Sequence, residues 1–238
     1  MKKSNLIYIL PNLFTASSIF VGVISITEAS QGNFTASSWL ILLALVFDGL
    51  DGRIARITNT TSQFGVEFDS LADIISFGIA PAMLLYFFIG QEFGRFGILV
   101  SALYVIFGAI RLARFNLSSA MTDPNVFIGL PIPIAAVFVS MWILLFYKYG
   151  LHDYSLILLF LSLGIAMLMV SNFRYPSFKK IQLDKPMVFK TMIFLVLLAS
   201  LLYLYSTEGF AIVILAYTLY GPIRTLRNLR LRKIHIKR

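Results

Sequence analysis

Four aspartates lie within 26 residues of largely apolar sequence, at Asp48, Asp51, Asp69 and Asp73. An ionised carboxylate at membrane depth costs at least ~2.5 kcal/mol, so a group of them needs a compensating charge. Oxygen ligands suit hard cations such as magnesium, manganese or calcium rather than zinc. A pair of such ions can bind a pyrophosphate, polarise the attacked phosphorus and stabilise the leaving phosphate. The cluster therefore predicts a membrane-embedded enzyme with two divalent ions held by these four aspartates.

The spacing of the aspartates places them in pairs on helices. Asp48 and Asp51 are three residues apart and Asp69 and Asp73 are four apart, so each pair shares a helical face. The intervening residues 59–65 are rich in asparagine, threonine, serine and glycine, which is typical of a helix end and a turn. Two helices joined in this way can direct all four carboxylates to one point.

Small and cationic residues accompany the aspartates. Gly52 and Ala55 leave room for a ligand to approach the backbone, and Arg56 can bind phosphate oxygens through its fork of donors. Two other interpretations stay open for the carboxylates. They could be solvated or cap helix ends, or they could hold sodium ions or protons in an ion-coupled transporter.

The elements that must position these residues are predicted to be membrane helices. The chain of 238 residues is 58% hydrophobic and 13% charged, unlike a typical soluble domain. It contains no cysteine, which excludes disulfides and thiolate metal sites. Pro11 and Asn12 interrupt the first apolar run, which favours a membrane helix over a signal peptide. Eight apolar segments approach the ~20 residues that a spanning helix needs, and the sequence is also compatible with six or seven spans. The eight segments are 8–28, 37–53, 70–90, 94–114, 129–148, 154–172, 187–205 and 208–224.

The distribution of basic residues predicts the orientation. With the N-terminus in the cytoplasm and alternating spans, 18 of the 20 lysines and arginines fall on the inner side, which is a strong positive-inside signal. Both termini and the aspartate cluster are then cytoplasmic. The net charge of +9 suits anionic lipid headgroups, and no nucleic-acid partner is expected. We expect a single all-α transmembrane domain over residues 1–238, with a basic tail from about residue 225.

The aspartate motif also carries a family resemblance. Its pattern, D-x2-D-G-x2-A-R-x8-G-x3-D-x3-D from Asp48 to Asp73, resembles the signature of the CDP-alcohol phosphotransferase family at every fixed position. The resemblance implies Asp48, Asp51 and Asp69 as the main metal ligands. Asp73 would complete the site and act as the general base. Gly52 and Ala55 would accommodate the cytidine nucleotide, Arg56 would contact its phosphates, and a homodimer is implied.

Further stretches resemble the integral-membrane phosphatidylserine synthase branch of that family. They begin at Pro11, Asp73, Arg111 and Gly129, and the similarity spans most of residues 5–175. This resemblance implies transfer of a phosphatidyl group from CDP-diacylglycerol to L-serine, giving phosphatidylserine and CMP at the cytoplasmic face of the cell (inner) membrane. The nearest alternative is the same chemistry with glycerol 3-phosphate or inositol phosphate as the acceptor.

Several other polar residues are candidate substrate ligands. Arg111 and Arg114 are three residues apart at the predicted inner end of one segment and could converge on the serine carboxylate. Either arginine could instead be a topology anchor. Asn12 and Thr15 could bind the diphosphate or the cytosine, or could cap a helix. The remaining candidates are Gly65 for binding the nucleotide and Asn116 and Ser76 for binding serine. Arg174 is a weaker candidate for a cationic substrate ligand.

Overall fold

The computed structural model describes residues 3–118, 126–176 and 205–236. Helices dominate these residues, and two short strands complete them. The helices are α1 (Lys3–Ser30), α2 (Phe34–Ile57), α3 (Gln63–Asp73), a π-helical stretch (Ile74–Ile79), α4 (Ala80–Phe88), a 3₁₀ turn (Gly90–Phe93), α5 (Arg95–Ser118), α6 (Ile132–Lys148), a second 3₁₀ turn (His152–Tyr154), α7 (Ser155–Val170) and α8 (Ser206–Ile236). The strands are β1 (Val126–Ile128) and β2 (Arg174–Pro176).

Several of these helices are suited to a bilayer. Four stretches are long and apolar enough to cross a membrane, namely Ile9–Ser30, Gln63–Phe88, Arg95–Leu117 and His152–Val170, and Ile132–Lys148 is a shorter apolar helix. The structure thus agrees with the predicted helical membrane protein, whereas eight spans and cytoplasmic termini stay predictions. The predicted segment 187–205 lies outside the described residues. The predicted tail from residue 225 begins inside α8, which continues to Ile236.

Helix α6 lies at the centre of the bundle. It packs against α2, α4, α7 and α8, and most of its side chains from Ile132 to Phe146 are buried. At the periphery α1 lies along α2, where buried hydroxyls join the helices. Ser25 donates to the carbonyl of Ser37 at 2.9 Å, and Ser18 donates to that of Ala44 at 3.2 Å. Such small polar residues allow close helix packing in lipid.

The helix that begins at Gln63 changes its winding directly after Asp73. Residues Ile74–Ile79 form a π-helical stretch, a rare arrangement that occurs frequently at functional sites. Pro81 follows and has no N–H to give to the carbonyl of Phe77 one turn earlier. The hydroxyl of Tyr104 donates to that carbonyl at 3.4 Å. The wider turn is therefore supported from α5 rather than by the helix alone.

The two strands form a small antiparallel ribbon between segments distant in sequence. Phe127 pairs with Tyr175, and Ile128 pairs with Arg174. The sequence analysis predicts only helices, and strands of three residues are too short to give a recognisable alternation of apolar and polar residues. The ribbon links the end of α5 to the end of α7, beside the polar residues described next.

Candidate active site

A tight turn between α2 and α3 brings the two aspartate pairs together. Helix α2 ends at Ile57, and Asn59 adopts a left-handed conformation with φ of 52°. Ser62 then begins α3, because its Oγ accepts a hydrogen bond from the N–H of Gly65 at 3.0 Å, as an N-cap residue does. A Cβ on Gly65 would lie 3.2 Å from that Oγ. The predicted helix end and turn are confirmed, and Gly65 has a packing role in them.

The aspartates converge as the spacing predicts. One carboxylate oxygen from each of Asp48, Asp51 and Asp69 can be chosen so that the three lie within 4.8 Å of one another. The carboxylate of Asp73 interacts electrostatically with those of Asp48 and Asp69. Asp51 is buried, and the other three are partly buried. Four carboxylates in so small a volume repel one another unless cations or protons are shared among them.

The donor set fits a divalent metal centre. Buried Oδ1 atoms of Asp69 and Asp73 have no hydrogen-bond partner among the residues that the structure describes, and a buried carboxylate oxygen without a partner carries a large desolvation cost. Hard, oxygen-binding cations such as Mg²⁺, Mn²⁺ or Ca²⁺ would satisfy these atoms. The cluster can thus bind a metal ion through Asp48, Asp51 and Asp69, with Asp73 beside them.

A hydroxyl from α1 orients one of these carboxylates. Thr15 donates to Oδ2 of Asp51 at 2.6 Å, and both residues are buried, with 3% and 6% of their surfaces exposed. The hydrogen bond from Thr15 uses Oδ2 of Asp51, so Oδ1 is the carboxylate oxygen that Thr15 does not contact. Partners of this kind fix the orientation of a metal-binding residue. Thr15 was predicted as a nucleotide ligand, and its contact here is with the predicted metal ligand.

A cleft with a volume of about 200 Å³ opens beside the carboxylates between α1, α2 and α3. It brings together the six residues predicted to bind the nucleotide. The cleft is also lined by five residues that were not predicted, namely Pro11, Thr60, Thr61, Ser62 and Val66. The threonine–serine turn before α3 is a signal that could have identified Thr60, Thr61 and Ser62. The lining residues are Pro11, Asn12, Thr15, Asp51, Gly52, Ala55, Arg56, Thr60, Thr61, Ser62, Gly65, Val66 and Asp69.

The cleft offers complementary chemistry for a nucleoside diphosphate. Arg56 is exposed and can turn its five donors towards phosphate oxygens. A Cβ at Gly52 would lie 3.4 Å from an Nη atom of Arg56, so glycine leaves that guanidinium room to lie against α2. Ala55, one helical turn after Gly52, also lines the cleft, and its small side chain takes up little of the space. The hydroxyl of Thr61 can donate to ribose or phosphate oxygens, whereas the hydroxyl of Thr60 is bonded to that of Thr58 at 2.7 Å.

Arg111 is the predicted acceptor ligand that the structure brings to the aspartates. It is 6% exposed, and its Nε has no acceptor among the described residues. It interacts electrostatically with Asp73. The structure's described part contains one ion pair within 4.0 Å, between Lys148 and Glu208, so Arg111 and Asp73 stand further apart than an ion pair.

The other predicted serine ligands make contacts within the protein. Arg114 donates to the carbonyls of Ile128, Val170 and Ser171 at 3.2, 3.0 and 2.7 Å and to Oδ1 of Asn172 at 3.3 Å. These bonds use both terminal nitrogens of its guanidinium, and they fasten α5 to β1 and α7. A shared anion site with Arg111 is therefore disfavoured.

Asn116 and Ser76 also make contacts within the protein. Asn116 donates to Oγ of Ser70 on α3 at 2.9 Å. Ser76 is fully buried and donates to the carbonyl of Ser18 at 2.9 Å, so its hydroxyl joins the π-helical stretch to α1. Arg174 is exposed on β2. Among the four predicted serine ligands, Arg111 is the one with a buried side-chain nitrogen that has no hydrogen-bond partner in the described part of the chain.

Comparisons with known proteins find similar sequences over most of the chain. The sequence model of the CDP-alcohol phosphatidyltransferase family matches residues 8–168. A Helicobacter pylori protein named CDP-diacylglycerol–serine O-phosphatidyltransferase is 51% identical over 224 residues, which are 93% of each chain. A Methanothermobacter thermautotrophicus protein named archaetidylserine synthase is 39% identical over 74% of this chain and 72% of its own. A Bacillus subtilis protein with the same name as the first is 32% identical over 72% of this chain and 92% of its own.

Proposed function

Because this chain belongs to the CDP-alcohol phosphatidyltransferase family, we propose that it transfers the phosphatidyl group from CDP-diacylglycerol to L-serine and releases CMP. The observation that carries the proposal is the convergence of Asp48, Asp51 and Asp69, with which Asp73 interacts, beside a cleft lined by the six residues expected to bind the nucleotide. The similarity of the Helicobacter pylori protein, which extends over 93% of both chains, supports serine as the acceptor. The product is phosphatidylserine.

In the proposed reaction, each part of the site has a distinct task. The cleft between α1, α2 and α3 binds the cytidine diphosphate, with Arg56 on its phosphate oxygens. Arg111 binds the carboxylate of serine and directs the serine hydroxyl towards Asp73. Asp73 accepts the hydroxyl proton as the oxygen attacks the phosphorus of the phosphatidyl group. A new oxygen–phosphorus bond forms, and the bond to CMP breaks.

The aspartate cluster would hold Mg²⁺ or Mn²⁺, or Ca²⁺, and two ions suit its four carboxylates. Asp48, Asp51 and Asp69 would be the principal ligands, and Asp73 would complete the set. Bound metal would supply Lewis-acid stabilisation of charge on the phosphates. The hydrogen bond from Thr15 to Asp51 and the helix cap at Ser62 would hold the aspartates in position for the metal.

The first test is CMP release by purified protein in detergent. CDP-diacylglycerol would be supplied with magnesium or manganese, and with serine, glycerol 3-phosphate or inositol phosphate in turn. We expect release with serine alone. Release with a different acceptor would refute serine while keeping the family chemistry. Binding of the lipid without CMP release under any condition would favour the transporter alternative.

A matched pair of variants makes this test specific. Asp69→Asn removes one proposed metal ligand and should abolish CMP release. Asp153→Asn makes the same chemical change at an exposed aspartate in the second 3₁₀ turn and should retain wild-type activity. Full activity of Asp69→Asn would contradict a catalytic role for the carboxylate cluster.

We also propose that the site faces the cytoplasm from the cell (inner) membrane and that the enzyme is a homodimer. The basic residues and the family resemblance support these two statements. Because the chain has no cysteine, single cysteines at exposed positions are clean topology probes. In intact cells a membrane-impermeant maleimide should label Gln31→Cys, between α1 and α2, and spare Gln63→Cys at the start of α3. The reverse pattern would invert the orientation, and a monomeric mass in detergent would refute the dimer.

A further inference from the structure

Two buried serine hydroxyls join three helical segments close to the aspartates. Ser76 in the π-helical stretch donates to the carbonyl of Ser18 on α1 at 2.9 Å. The hydroxyl oxygen of Ser18 lies 3.2 Å from that of Ser76 and 3.2 Å from the carbonyl oxygen of Ala44 on α2, and its one hydrogen can be given to either acceptor. Both serines are buried, with 1% of Ser18 and 0% of Ser76 exposed. We call Ser18, Ser76 and the carbonyl of Ala44 the serine joint.

The two hydroxyls bond between segments, although a partner within the same helix is a common alternative. A serine inside a helix often donates to the carbonyl four residues earlier, as Ser162 on α7 does to Leu158 at 2.8 Å. The hydroxyls of Ser18 and Ser76 instead bind neighbouring segments. Hydrogen bonds of this kind hold helices together in lipid, where no water competes for them. The serine joint therefore restrains the spacing of α1, α2 and the π-helical stretch.

Each member of the serine joint lies about one helical turn from a residue of the proposed metal centre. Three or four residues make about one turn of an α-helix, or ~5 Å along its axis. The pairs, separated by three, four and three residues, are Ser18 and Thr15, Ala44 and Asp48, and Ser76 and Asp73. Thr15 donates to Asp51, so each of the three segments carries either a proposed metal ligand or the residue that orients one. A change in spacing at the joint would therefore change the distances among the carboxylates.

A glycine on α1 permits the close approach at the serine joint. A Cβ at Gly22 would lie 2.9 Å from Oγ and 3.1 Å from Cα of Ser76. The Cα is a backbone atom and cannot rotate away as a side chain does, so a methyl group here would push the π-helical stretch away from α1. Gly22 lies one helical turn beyond Ser18. Small residues allow this close packing of helices in lipid.

We propose that the serine joint sets the size of the metal centre and makes it prefer Mg²⁺ to Ca²⁺. This inference rests on the proposed function, because it takes the aspartates as metal ligands. Mg²⁺ requires nearly ideal octahedral ligands at about 2.0–2.1 Å, whereas Ca²⁺ accepts a flexible set of oxygens at about 2.3–2.6 Å. Carboxylates on closely held helices therefore favour the smaller ion. Ser18 and Ser76 are positioning residues, since they would act through the aspartates.

The experiment measures the binding of MgCl₂ and of CaCl₂ to the full-length protein in detergent by isothermal titration calorimetry, without substrates. For Ser18→Ala we expect the Kd for Mg²⁺ to rise about fivefold, the size expected for loss of one hydrogen bond. The Kd for Ca²⁺ should change less than about twofold, because its ligand distances are more tolerant.

The matched control is Ser25→Ala on the same helix. Ser25 also donates to a carbonyl of α2, that of Ser37, at 2.9 Å. It lies seven residues beyond Ser18, about two helical turns further from the aspartates. Each variant loses one hydroxyl between α1 and α2, so both should show similarly lowered melting temperatures. Ser25→Ala should nevertheless leave both Kd values unchanged.

Two further variants test the joint from its other members. Ser76→Ala should lower the preference for Mg²⁺ in the same way, with the KM for serine unchanged at saturating Mg²⁺. Gly22→Ala should also lower that preference by displacing Ser76, and its control is Gly164→Ala, whose Cβ would meet open space. A raised serine KM in Ser76→Ala, with wild-type Kd values for both ions, would place Ser76 at the acceptor and overturn the proposal.

The binding data separate this proposal from the proposed function. Wild-type Kd values for both ions in Ser18→Ala, or an equal rise for both, would overturn the role of the serine joint in metal selection. A wild-type protein that binds neither ion would refute the metal centre on which the proposal rests. If the wild-type protein binds the ions but releases no CMP with serine, the proposed function is refuted, and the serine joint still stands on the Kd values.

Discussion

Replacing Thr15 by valine tests the proposed metal centre through a residue that is not itself a ligand. The change removes the hydroxyl that donates to Oδ2 of Asp51 at 2.6 Å and keeps the side chain's shape. A hydrogen bond to a charged group contributes about 1.5–3 kcal/mol. Since about 1.4 kcal/mol is a factor of ten, the metal concentration at half-maximal activity should rise about 10- to 100-fold. Maximal turnover at saturating metal should change less.

The assay is CMP release titrated with MgCl₂ and, separately, with MnCl₂. Thr15→Ser retains the hydroxyl, so its metal concentration at half-maximal activity should stay within about threefold of the wild-type value. That change is smaller than the effect expected for a lost hydrogen bond. Ser25→Ala removes another buried hydroxyl of α1, which donates to Ser37 at 2.9 Å, and should leave the titration unchanged. A Thr15→Val enzyme with the wild-type metal midpoint would refute the reasoning that this bond orients Asp51 for a cation.

Four further variants test other parts of the site and the fold. Asp73→Asn should lower kcat by about 10²- to 10⁴-fold, the usual contribution of a general base, while CDP-diacylglycerol still binds; near-normal kcat would remove Asp73 as the base. Arg111→Ala should raise the KM for serine more than that for CDP-diacylglycerol. Arg114→Ala should lower the melting temperature and leave both KM values near wild type, because its donors hold backbone carbonyls; a selective rise in the serine KM would return it to the acceptor site. Gly129→Ala should destabilise the fold by about 2 kcal/mol or more, because φ is +77° and a Cβ would lie 2.3 Å from the carbonyl oxygen of Met169. Thermal unfolding should detect this loss. The control is Gly164→Ala, because a Cβ at Gly164 would meet open space. Equal melting temperatures of the two variants would contradict the predicted strain at Gly129.

The sequence predicted the aspartate cluster because its geometry is local. Pairs three or four residues apart share a helical face whatever the helix packs against, and the turn between α2 and α3 is encoded by its own residues. The apolar runs likewise predicted most of the membrane helices, since length and hydropathy are properties of each segment. The family signature contains four of the residues predicted to bind the nucleotide, and Asn12 and Thr15 were predicted from their place in the first apolar segment. All six line the cleft.

The acceptor residues were harder to predict because their contacts are distant in the chain. Arg111 and Arg114 are near neighbours on α5, yet Arg111 is buried and interacts electrostatically with Asp73, whereas Arg114 donates to carbonyls at residues 128, 170 and 171. Spacing along a helix cannot distinguish these environments. Ser76 shows the same limit, since its partner Ser18 is 58 residues away.

The π-helical stretch after Asp73 has a consequence for how this sequence tolerates insertions and deletions. Each residue of an α-helix advances the side chains by about 100°, so losing one residue within Ile74–Ile79 would rotate everything downstream relative to the aspartates. Pro81 and the buried face of α4 would then be presented to different neighbours. Loops can absorb a change of chain length, but this stretch lies between two faces that are fixed independently, one at the metal ligands and the other in the helix core. Its length, and not only its composition, is therefore under structural constraint.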